Sequence, residues 1–496
     1  MESIKKQFIK KYDMDPSSAL DWLETEHSLG NLKATTFLGT VYSDCVYVKP
    51  DVDKAYKLFK YAADKGSTDG LREIGTLYFL GKYFSEDNQK AIEIYSEVLR
   101  LNPKDEIAKC QIGRMYGFGW GVNKDITKGI ALLQEAWNMG SARAATEIGA
   151  LYENHLERNV ENIKQALKWY QRGAEGWDEK GCYNLGLIYH NGDYGVLKSE
   201  KMAHDLLIRG KAFSDALALL ISTKGCGLSS DEEYKLLFNE ALRRANYGDL
   251  DIQSELGYTY AQGKHIERDV EKSIYWYEEA IKGGHCFSAF RLGSNYRFGL
   301  DGFPEDKSKA VHYLTMAAEW GHLSSMKSLA DLLDDDDYYE MSYEEKRKKA
   351  MYWYEQAAEN GDEWAALTCG RRYENGYCSC DVNQEKAIKY YSISAGKGLD
   401  DAYLPLAKLY LFSEGYKNFD LALKFIRLAA QKEAIPDYEM GQIQYCIGVM
   451  YRDGSGMPSN LEDAYNHFSL GASKGNDDCK EALTHIRKGL FGWKLV

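Results

Sequence analysis

The amino-acid sequence predicts an all-α fold, an α/α superhelical solenoid of about twelve short helix-turn-helix repeats with a helical cap at each end. Small, helix-tolerant residues recur every 34 to 42 positions from Ala19 to Ala464. Between them runs a second series of glycines, each followed three residues later by tyrosine. A period this long is typical of a solenoid, in which each repeat buries its apolar face against its neighbours. These glycines are Gly39, Gly75, Gly113, Gly149, Gly186, Gly257, Gly293, Gly370 and Gly448.

Residues 254–284 illustrate how one repeat is expected to form two antiparallel helices. In the first helix, Gly257 and Tyr260 share one face with Leu256. Glycine inside a helix costs about 1 kcal/mol relative to alanine, so its recurrence predicts close approach of the partner helix. Asp269 is the expected N-cap of the second helix, which ends at Gly284.

The chain is expected to have three parts. Residues 1–14 carry Ile4, Phe8 and Tyr12 at helical spacing and predict an N-terminal capping helix. Residues 15–476 form the repeat solenoid, and residues 477–496 a C-terminal capping helix and tail, with the helix running from Asp477 to Lys488.

Three repeats depart from the pattern and predict local irregularity. The repeat between Lys211 and Gly248 lacks the Leu-Gly pair and has Ala218-Leu219 instead, and a later repeat has Leu406-Ala407. The repeat near residue 334 contains an acidic insertion that begins with four aspartates, Asp334 to Asp337. That insertion is most simply a solvated loop, and a partner contact there is an alternative.

Composition narrows the classes of function. Of the 496 residues, 44% are hydrophobic and 28% charged, which is typical of a folded chain rather than a disordered one. The net charge of −13 disfavours binding to nucleic acids and to anionic membranes. No apolar stretch approaches the ~20 residues of a spanning helix, and the first residues do not resemble a secretory signal.

The ten cysteines are mostly isolated in separate repeats, which predicts reduced thiols rather than disulfides. Together with the absence of a signal sequence, they lead us to expect a cytoplasmic protein. Cys369, Cys378 and Cys380 offer three thiolates, but no fourth zinc ligand is evident nearby. The sequence therefore predicts no metal and no cofactor.

The repeat pattern resembles a known family. Leu-Gly-x-x-Tyr-x-x-Gly, a loop, and then Lys-Ala-x-x-Trp-Tyr-x-x-Ala-Ala-x-x-Gly is similar to the Sel1-like repeat, a relative of the tetratricopeptide repeat. The clearest copies lie at 116–129, 309–321 and 349–361, and the resemblance covers roughly residues 15 to 476. It implies an adaptor or scaffold that binds other proteins, with its first helices lining the concave side.

One tetrapeptide raises an enzymatic alternative. Ser324-Ser-Met-Lys327 matches the Ser-x-x-Lys element of penicillin-interacting serine enzymes. The accompanying Ser-Asp-Asn and Lys-Thr-Gly elements are absent, and two fixed positions recur easily by chance. We therefore interpret the chain as a non-enzyme, with a small hydrolase as the minor alternative.

The function predicted from the sequence is a protein-binding scaffold that holds a partner peptide or domain on its concave surface. A host-directed bacterial effector that uses the same groove is the second interpretation. Four arginines, Arg114, Arg291, Arg371 and Arg372, are expected to select acidic groups on the partner. Candidate binding residues are the variable positions beside the first-helix glycines: Glu73, Arg114, Glu147, Asn184, Tyr258, Arg291, Asn295, Arg371 and Arg372.

Overall fold

The computed structural model describes residues 2–12, 14–44, 46–156, 159–335, 341–377, 381–432, 434–489 and 492–495. The described residues form helical hairpins in succession, and they group into two compact units, residues 1–288 and 289–496. The expected α-helical repeat fold is confirmed.

The first unit consists of helices α1 to α16 and the start of α17. The odd-numbered helices from α3 onward are the first helices of the hairpins, and the even-numbered helices are the second helices. Their bounds are α1 Glu2–Tyr12, α2 Pro16–Ser28, α3 Leu32–Ser43, α4 Val52–Asp64, α5 Thr68–Leu80, α6 Asn88–Leu101, α7 Glu106–Phe118, α8 Ile126–Asn138, α9 Ala142–Asn154, α10 Val160–Glu175, α11 Glu179–Asn191, α12 Glu200–Arg209, α13 Ser214–Thr223, α14 Asp231–Asn246, α15 Leu250–Gln262, α16 Val270–Lys282 and α17 Cys286–Phe298.

The second unit contains the remainder of α17 and continues the alternation to α26. A single helix, α27, and a two-stranded antiparallel hairpin follow. Their bounds are α18 Lys307–Glu319, α19 Leu323–Asp334, α20 Tyr343–Glu359, α21 Glu363–Asn375, α22 Gln384–Gly396, α23 Tyr403–Phe412, α24 Phe419–Ala429, α25 Asp437–Asp453, α26 Leu461–Ser473, α27 Asp477–Thr484, β1 Ile486–Gly489 and β2 Gly492–Leu495.

One backbone hydrogen bond recurs within the hairpins and sets the turn between the two helices. In the first hairpin, the N–H of the N-cap residue Asp51 donates to the carbonyl of Tyr42 at 2.8 Å. The Asp51 side chain then accepts from the N–H of Lys54 and starts the second helix. The equivalent bonds join Asp87 to Tyr78, Asp125 to Tyr116, Ser199 to Tyr189, Asp269 to Tyr260, Asp306 to Tyr296, Asn383 to Tyr373, Asn418 to Tyr410 and Asn460 to Tyr451.

The first-helix glycines allow the two helices of a hairpin to approach closely, as the sequence predicted. A Cβ placed on Gly257 would lie 2.7 Å from the ring of Tyr277, closer than real Cβ contacts allow. Gly75 and Gly370 stand in the same relation to Tyr95 and Tyr391. The ring therefore fills the space that a side chain on the first helix would need.

The tyrosines that follow these glycines are less buried than their recurrence suggests. Because they recur at one inward position of the first helices, they are expected to be core residues, but Tyr42 and Tyr260 are only half-buried, whereas Tyr296 is buried. A lysine of the second helix covers the ring instead: the Nζ of Lys54 lies 4.0 Å from the centre of the Tyr42 ring. Lys128, Lys272, Lys309 and Lys386 cover Tyr116, Tyr260, Tyr296 and Tyr373 in the same way.

The C-terminus differs from its prediction. The expected helix from Asp477 to Lys488 ends at Thr484, and the chain turns into strand β1. Ile486 is 3% exposed, and the Trp493 ring of β2 lies 4.6 Å from that of Tyr465. A helix was the wrong prediction for these residues. They form a β-hairpin whose apolar side chains cover the end of α26.

The irregular repeats form helical hairpins in the described residues. The repeat around residues 211–248 folds into α13 and α14, with Leu217 and Leu220 buried in place of the missing glycine contact. The acidic insertion is described only through Asp335, and residues 336–340 lie outside the described part. Asp334 is not freely solvated as expected, because Arg347 and Arg372 both bind its carboxylate.

Candidate protein-binding site

A buried carboxylate connects several first helices of the first unit. Glu147, in the middle of α9, is only 1% exposed. Its Oε1 accepts from Arg143 Nε at 2.7 Å and lies 3.4 Å from Arg114 Nε on α7 and 3.7 Å from Lys180 Nζ on α11. One acidic side chain thus links three consecutive first helices.

Electrostatics account for how Glu147 stays charged while buried. Burial opposes ionisation, but Arg114, Arg143 and Lys180 outweigh it, so the pKa of Glu147 lies below its ordinary value. Burial lowers the pKa of Lys180, with Glu147 opposing. The network is therefore held together by charge rather than by neutral hydrogen bonds.

A second cluster surrounds Arg72 on α5, which is 2% exposed. Its Nη1 donates to Asp69 and to Asp105, both at 2.9 Å, and its Nη2 lies 3.4 Å from Glu73. Asp105 is also the N-cap of α7, whose Ala108 N–H it binds at 2.8 Å. Arg72 therefore joins two first helices and leaves three carboxylates gathered at one point.

These carboxylates line a cleft of about 620 Å³, which we call the inner cleft. Six acidic and two basic side chains are found among its described lining residues. The cleft has an acidic excess and some apolar wall. Its lining residues are Lys5, Phe37, Thr40, Asp44, Val46, Tyr47, Asp69, Arg72, Glu73, Asn102, Asp105, Glu106, Ile107, Glu179 and Ala212.

The first unit curves so that its N-terminal helix closes one side of the inner cleft. Arg243 of α14 donates to the Val46 carbonyl at 2.6 Å and to the Tyr12 hydroxyl at 3.1 Å. Lys5 of α1 lies 3.9 Å from Glu179 of α11. Segments more than 170 residues apart in the chain therefore meet around one acidic space.

Two carboxyls of the inner cleft have perturbed pKa values. Burial raises the pKa of Asp44, and Lys82 and Arg244 offset it only in part. Burial also raises the pKa of Glu73, although Arg72 lies beside it. Both groups would be stabilised as carboxylates by one more positive charge in the inner cleft.

The nine residues predicted from the sequence are placed in different environments. In the first unit, Glu73 lines the inner cleft, and Arg114 and Glu147 bind each other. Asn184 and Tyr258 are half-buried on α11 and α15. The structure therefore brings Arg114 and Glu147 together and places Glu73 in the inner cleft.

In the second unit the predicted residues divide between surface and interior. Arg371 is exposed, with 57% of its side chain accessible, and lies 3.8 Å from Asp401. Arg372 is buried, and its Nη2 donates to Asp334 at 2.5 Å. Asn295 is also buried, while Arg291 is half-buried. Of these four residues, Arg371 is the one whose side chain reaches solvent extensively.

The structure also shows where the residues of the enzymatic alternative and of the three-cysteine alternative lie. Ser324 is exposed in the first turn of α19, and Lys327 donates to Asp331 at 2.8 Å. Cys369 is buried, and Cys378 and Cys380 lie outside the described residues. The described cysteines are all free thiols, as their spacing predicted.

Sequence reasoning missed most of the inner cleft. Asp44, Asp105 and Glu179 lie at or next to helix ends and were not predicted as site residues. A useful signal was available, because Asp105, Asp178 and Asp249 are N-caps that also bind an arginine at 2.9, 3.6 and 2.6 Å. An aspartate that caps a helix and binds an arginine from one of the preceding helices is therefore a sequence signal for these clusters.

The structure offers no membrane-spanning segment within the ranges it describes: every helix there is too short or too polar to cross a bilayer.

Two curated proteins are similar in sequence to part of this chain. It is 28% identical over 227 residues to chitin synthase regulatory factor 3 of Schizosaccharomyces pombe, covering 45% of this chain and 24% of that protein. It is 26% identical over 285 residues to the chitin synthase regulator SKT5 of Saccharomyces cerevisiae, covering 56% and 40%. The chain thus spans less than half the length of these two relatives.

Solved structures with similar folds include a protective antigen, c5321, of uropathogenic Escherichia coli, which displays an SLR fold. That likeness has 20% identity, covers 95% of this chain and 98% of the other, and has a TM-score of 0.37. A Sel1 repeat protein from Oxalobacter formigenes matches at 24% identity over 64% and 91%, with a TM-score of 0.34.

The family model for the Sel1 repeat matches eleven segments that together cover well over half of the chain. No match falls between residues 210 and 252, the region of α13 and α14 where the sequence departs from the pattern. The matched segments are 33–67, 68–97, 107–141, 142–176, 180–210, 252–285, 287–322, 338–362, 365–399, 401–433 and 439–476. On this evidence, the chain belongs to the Sel1 repeat family.

Proposed function

We propose that this chain is a regulatory scaffold that binds a partner protein, and that the inner cleft of its first unit holds a lysine- or arginine-containing segment of that partner. The family supports a scaffold, and the regulator names of two fungal relatives support a role exerted through another protein. The observation that carries the proposal is the acidic excess of the inner cleft.

Charge complementarity selects the chemistry of the bound segment. Arg72 already binds three carboxylates, and Lys5 approaches Glu179. Asp44 and Glu73 remain with raised pKa values and would gain from a further cation. A lysine or arginine side chain supplies that cation, and Phe37, Val46 and Ile107 contact its aliphatic stem.

Four arginines were expected to select acidic groups on the partner. The proposal keeps Arg371 in that role. Arg114 and Arg372 are engaged by Glu147 and Asp334 within the protein. Arg371 is extensively exposed, so the proposal assigns to it a peripheral contact with an acidic group of the partner.

Peptide binding to the purified chain tests the proposal. Fluorescence anisotropy would compare a labelled peptide of alternating lysine and serine with its glutamate counterpart. We expect the lysine peptide to bind and Asp44→Asn with Glu73→Gln to weaken it by about tenfold or more. The matched control is Asp64→Asn with Glu97→Gln, two exposed carboxylates of the same unit. Equal weakening in the control pair, or equal binding of the glutamate peptide, would contradict the proposal.

The raised pKa values give the binding a pH dependence with a definite sign. Asp44 and Glu73 take up protons at a higher pH than ordinary carboxyls, so the cleft loses negative charge as the pH falls. We expect affinity for the lysine peptide to fall as the pH is lowered, and the fall to begin above the usual carboxyl range. The Asp44→Asn, Glu73→Gln variant should show a flatter profile, and an unchanged slope would argue against these two groups.

A further inference from the structure

Three side chains with metal-binding atoms meet away from the inner cleft. They are His190 in the last turn of α11, Glu200 at the start of α12 and Cys226 in the loop between α13 and α14. Ligand atoms from all three lie within 4.8 Å of one another, and all three residues are partly buried. Because they come from two consecutive hairpins, their convergence is a feature of the fold rather than of local sequence.

The contacts around these residues already orient them toward a common point. His190 Nδ1 lies 2.7 Å from Glu200 Oε2, within hydrogen-bonding distance. The other carboxylate oxygen, Oε1, lies 3.0 Å from Lys198 Nζ. Lys198 therefore fixes the carboxylate and leaves Oε2 on the side of the histidine, as an outer partner of a metal ligand does.

The loop that carries Cys226 has an unusual backbone. Lys224, Gly225, Cys226 and Gly227 all have positive φ angles, between 52° and 81°. This is unusual for Lys224 and Cys226, because the Cβ of each disfavours the left-handed region. The conformation is held by the Cys226 N–H, which donates to Thr223 Oγ1 at 2.9 Å, and by Gly225 N–H, which donates to Leu220 at 2.8 Å.

His204 of α12 also contacts this loop. His204 Nε2 lies 3.3 Å from Ser229 Oγ and 3.5 Å from Glu233 Oε2. A side chain at Gly225 would collide with Ser229 and His204, so only glycine fits there. The loop is therefore positioned by contacts that do not involve the three ligand atoms.

We propose that His190, Glu200 and Cys226 form a binding site for a divalent transition metal, with Zn²⁺ the ion that best suits one nitrogen, one oxygen and one sulfur ligand. Imidazole, carboxylate and thiolate are the ligand types that zinc takes in proteins, and three protein ligands leave a fourth position for water. The bound ion replaces the hydrogen bond between His190 and Glu200 with two bonds to the metal. It links α11 and α12 to the loop before α14.

Cobalt substitution provides the most specific test, because thiolate ligation of Co²⁺ gives a charge-transfer absorption in the near ultraviolet. The full chain is freed of metal with a chelator and titrated with Co²⁺, and Zn²⁺ is then added in competition. We expect one equivalent of Co²⁺ to produce the thiolate band and Zn²⁺ to abolish it. The melting temperature should rise when Zn²⁺ is present, because a ligand of the folded state stabilises that state.

Variants separate the proposed site from adventitious binding. Cys226→Ser should remove the charge-transfer band, and His190→Gln and Glu200→Gln should each weaken Co²⁺ binding at least tenfold. Cys286→Ser is the matched control, because Cys286 is also a partly buried free thiol of the first unit. Circular dichroism checks that each variant keeps its helix content. Failure of the wild-type chain to give the band, or its persistence in Cys226→Ser, would overturn the proposal.

Discussion

The two units each place a carboxylate among basic side chains, but the two networks do different structural work. In the first unit Glu147 is 1% exposed and connects cations from α7, α9 and α11. In the second unit Asp334 is 24% exposed and receives Arg347 and Arg372 at the end of α19. The first network joins three consecutive first helices, whereas the second joins the end of α19 to the second helix of its own hairpin, α20, and to the next first helix, α21.

The comparison shows that position within a repeat does not determine the environment of a side chain. Arg114 and Arg371 each directly follow a first-helix glycine, yet the side chain of Arg114 is 14% exposed and that of Arg371 is 57% exposed. Arg114 binds Glu147 of the next repeat, and Arg371 lies 3.8 Å from Asp401. Whether a side chain at this position reaches solvent therefore depends on the residues carried by adjacent repeats.

The largest effect is expected from neutralising the centre of the first network. Glu147→Gln leaves Arg114, Arg143 and Lys180 without their buried counter-charge, which should lower the free energy of unfolding by about 3–5 kcal/mol. Denaturant-induced unfolding measures it. The exposed Glu97→Gln is the control and should change stability by less than about 0.5 kcal/mol. A loss equally small for Glu147→Gln would show that the network does not hold the hairpins together.

The same substitution predicts the direction of a pH effect. The pKa of folded Glu147 is lowered, so its stabilising contribution is present above the ordinary carboxyl pKa of about 4.3 and is lost as the pH falls through the lowered value. The difference in unfolding free energy between the wild type and Glu147→Gln should therefore shrink in acid. A difference that grew on acidification would contradict the assigned charges.

A smaller loss is expected in the second unit. Asp334→Asn removes the charge that Arg347 and Arg372 share, but the site is partly exposed, so we expect a loss of about 1–3 kcal/mol. Glu344→Gln, which is 71% exposed, serves as the control. If Asp334→Asn proved as costly as Glu147→Gln, partial exposure would not be what distinguishes the two networks.

The smallest effects should be alike in the two units. Lys54 covers the Tyr42 ring and binds Glu24 at 3.0 Å, and Lys386 covers Tyr373 and lies 3.6 Å from Glu355. Lys54→Met and Lys386→Met should each reduce stability by about 0.5–1 kcal/mol. Lys60→Met, which affects only an exposed pair with Asp64, is the control. Losses of stability that differed strongly between the two sites would show that the shared position in the repeat does not determine the strength of the lysine–tyrosine contact.

Much of the fold follows from the sequence because the repeat encodes it locally. Gly257 lies within one hairpin, so the sequence was sufficient to predict close approach of the partner helix, where the structure places Tyr277. The strand from Ile486 was missed because four residues carry too little periodicity to outweigh a helical neighbour.

Most of the candidate site was beyond sequence reasoning for a different reason. Arg243 meets Tyr12 and Val46 across more than 190 residues, and that contact depends on how many hairpins complete the curve of the first unit. Glu73 was identified as a binding residue, but its neighbour Asp44 was not, because their proximity arises from the packing of successive hairpins.

Location of the bound segment is the most direct test of the scaffold proposal. A lysine-containing peptide with a benzophenone group would be crosslinked to the purified chain by light and mapped by mass spectrometry. The proposal predicts crosslinks at residues that line the inner cleft, and their loss in the Asp44→Asn, Glu73→Gln variant. The expected crosslinked residues are Phe37, Thr40, Val46, Tyr47, Asn102 and Ile107. Crosslinks confined to the second unit, or unchanged in that variant, would contradict it.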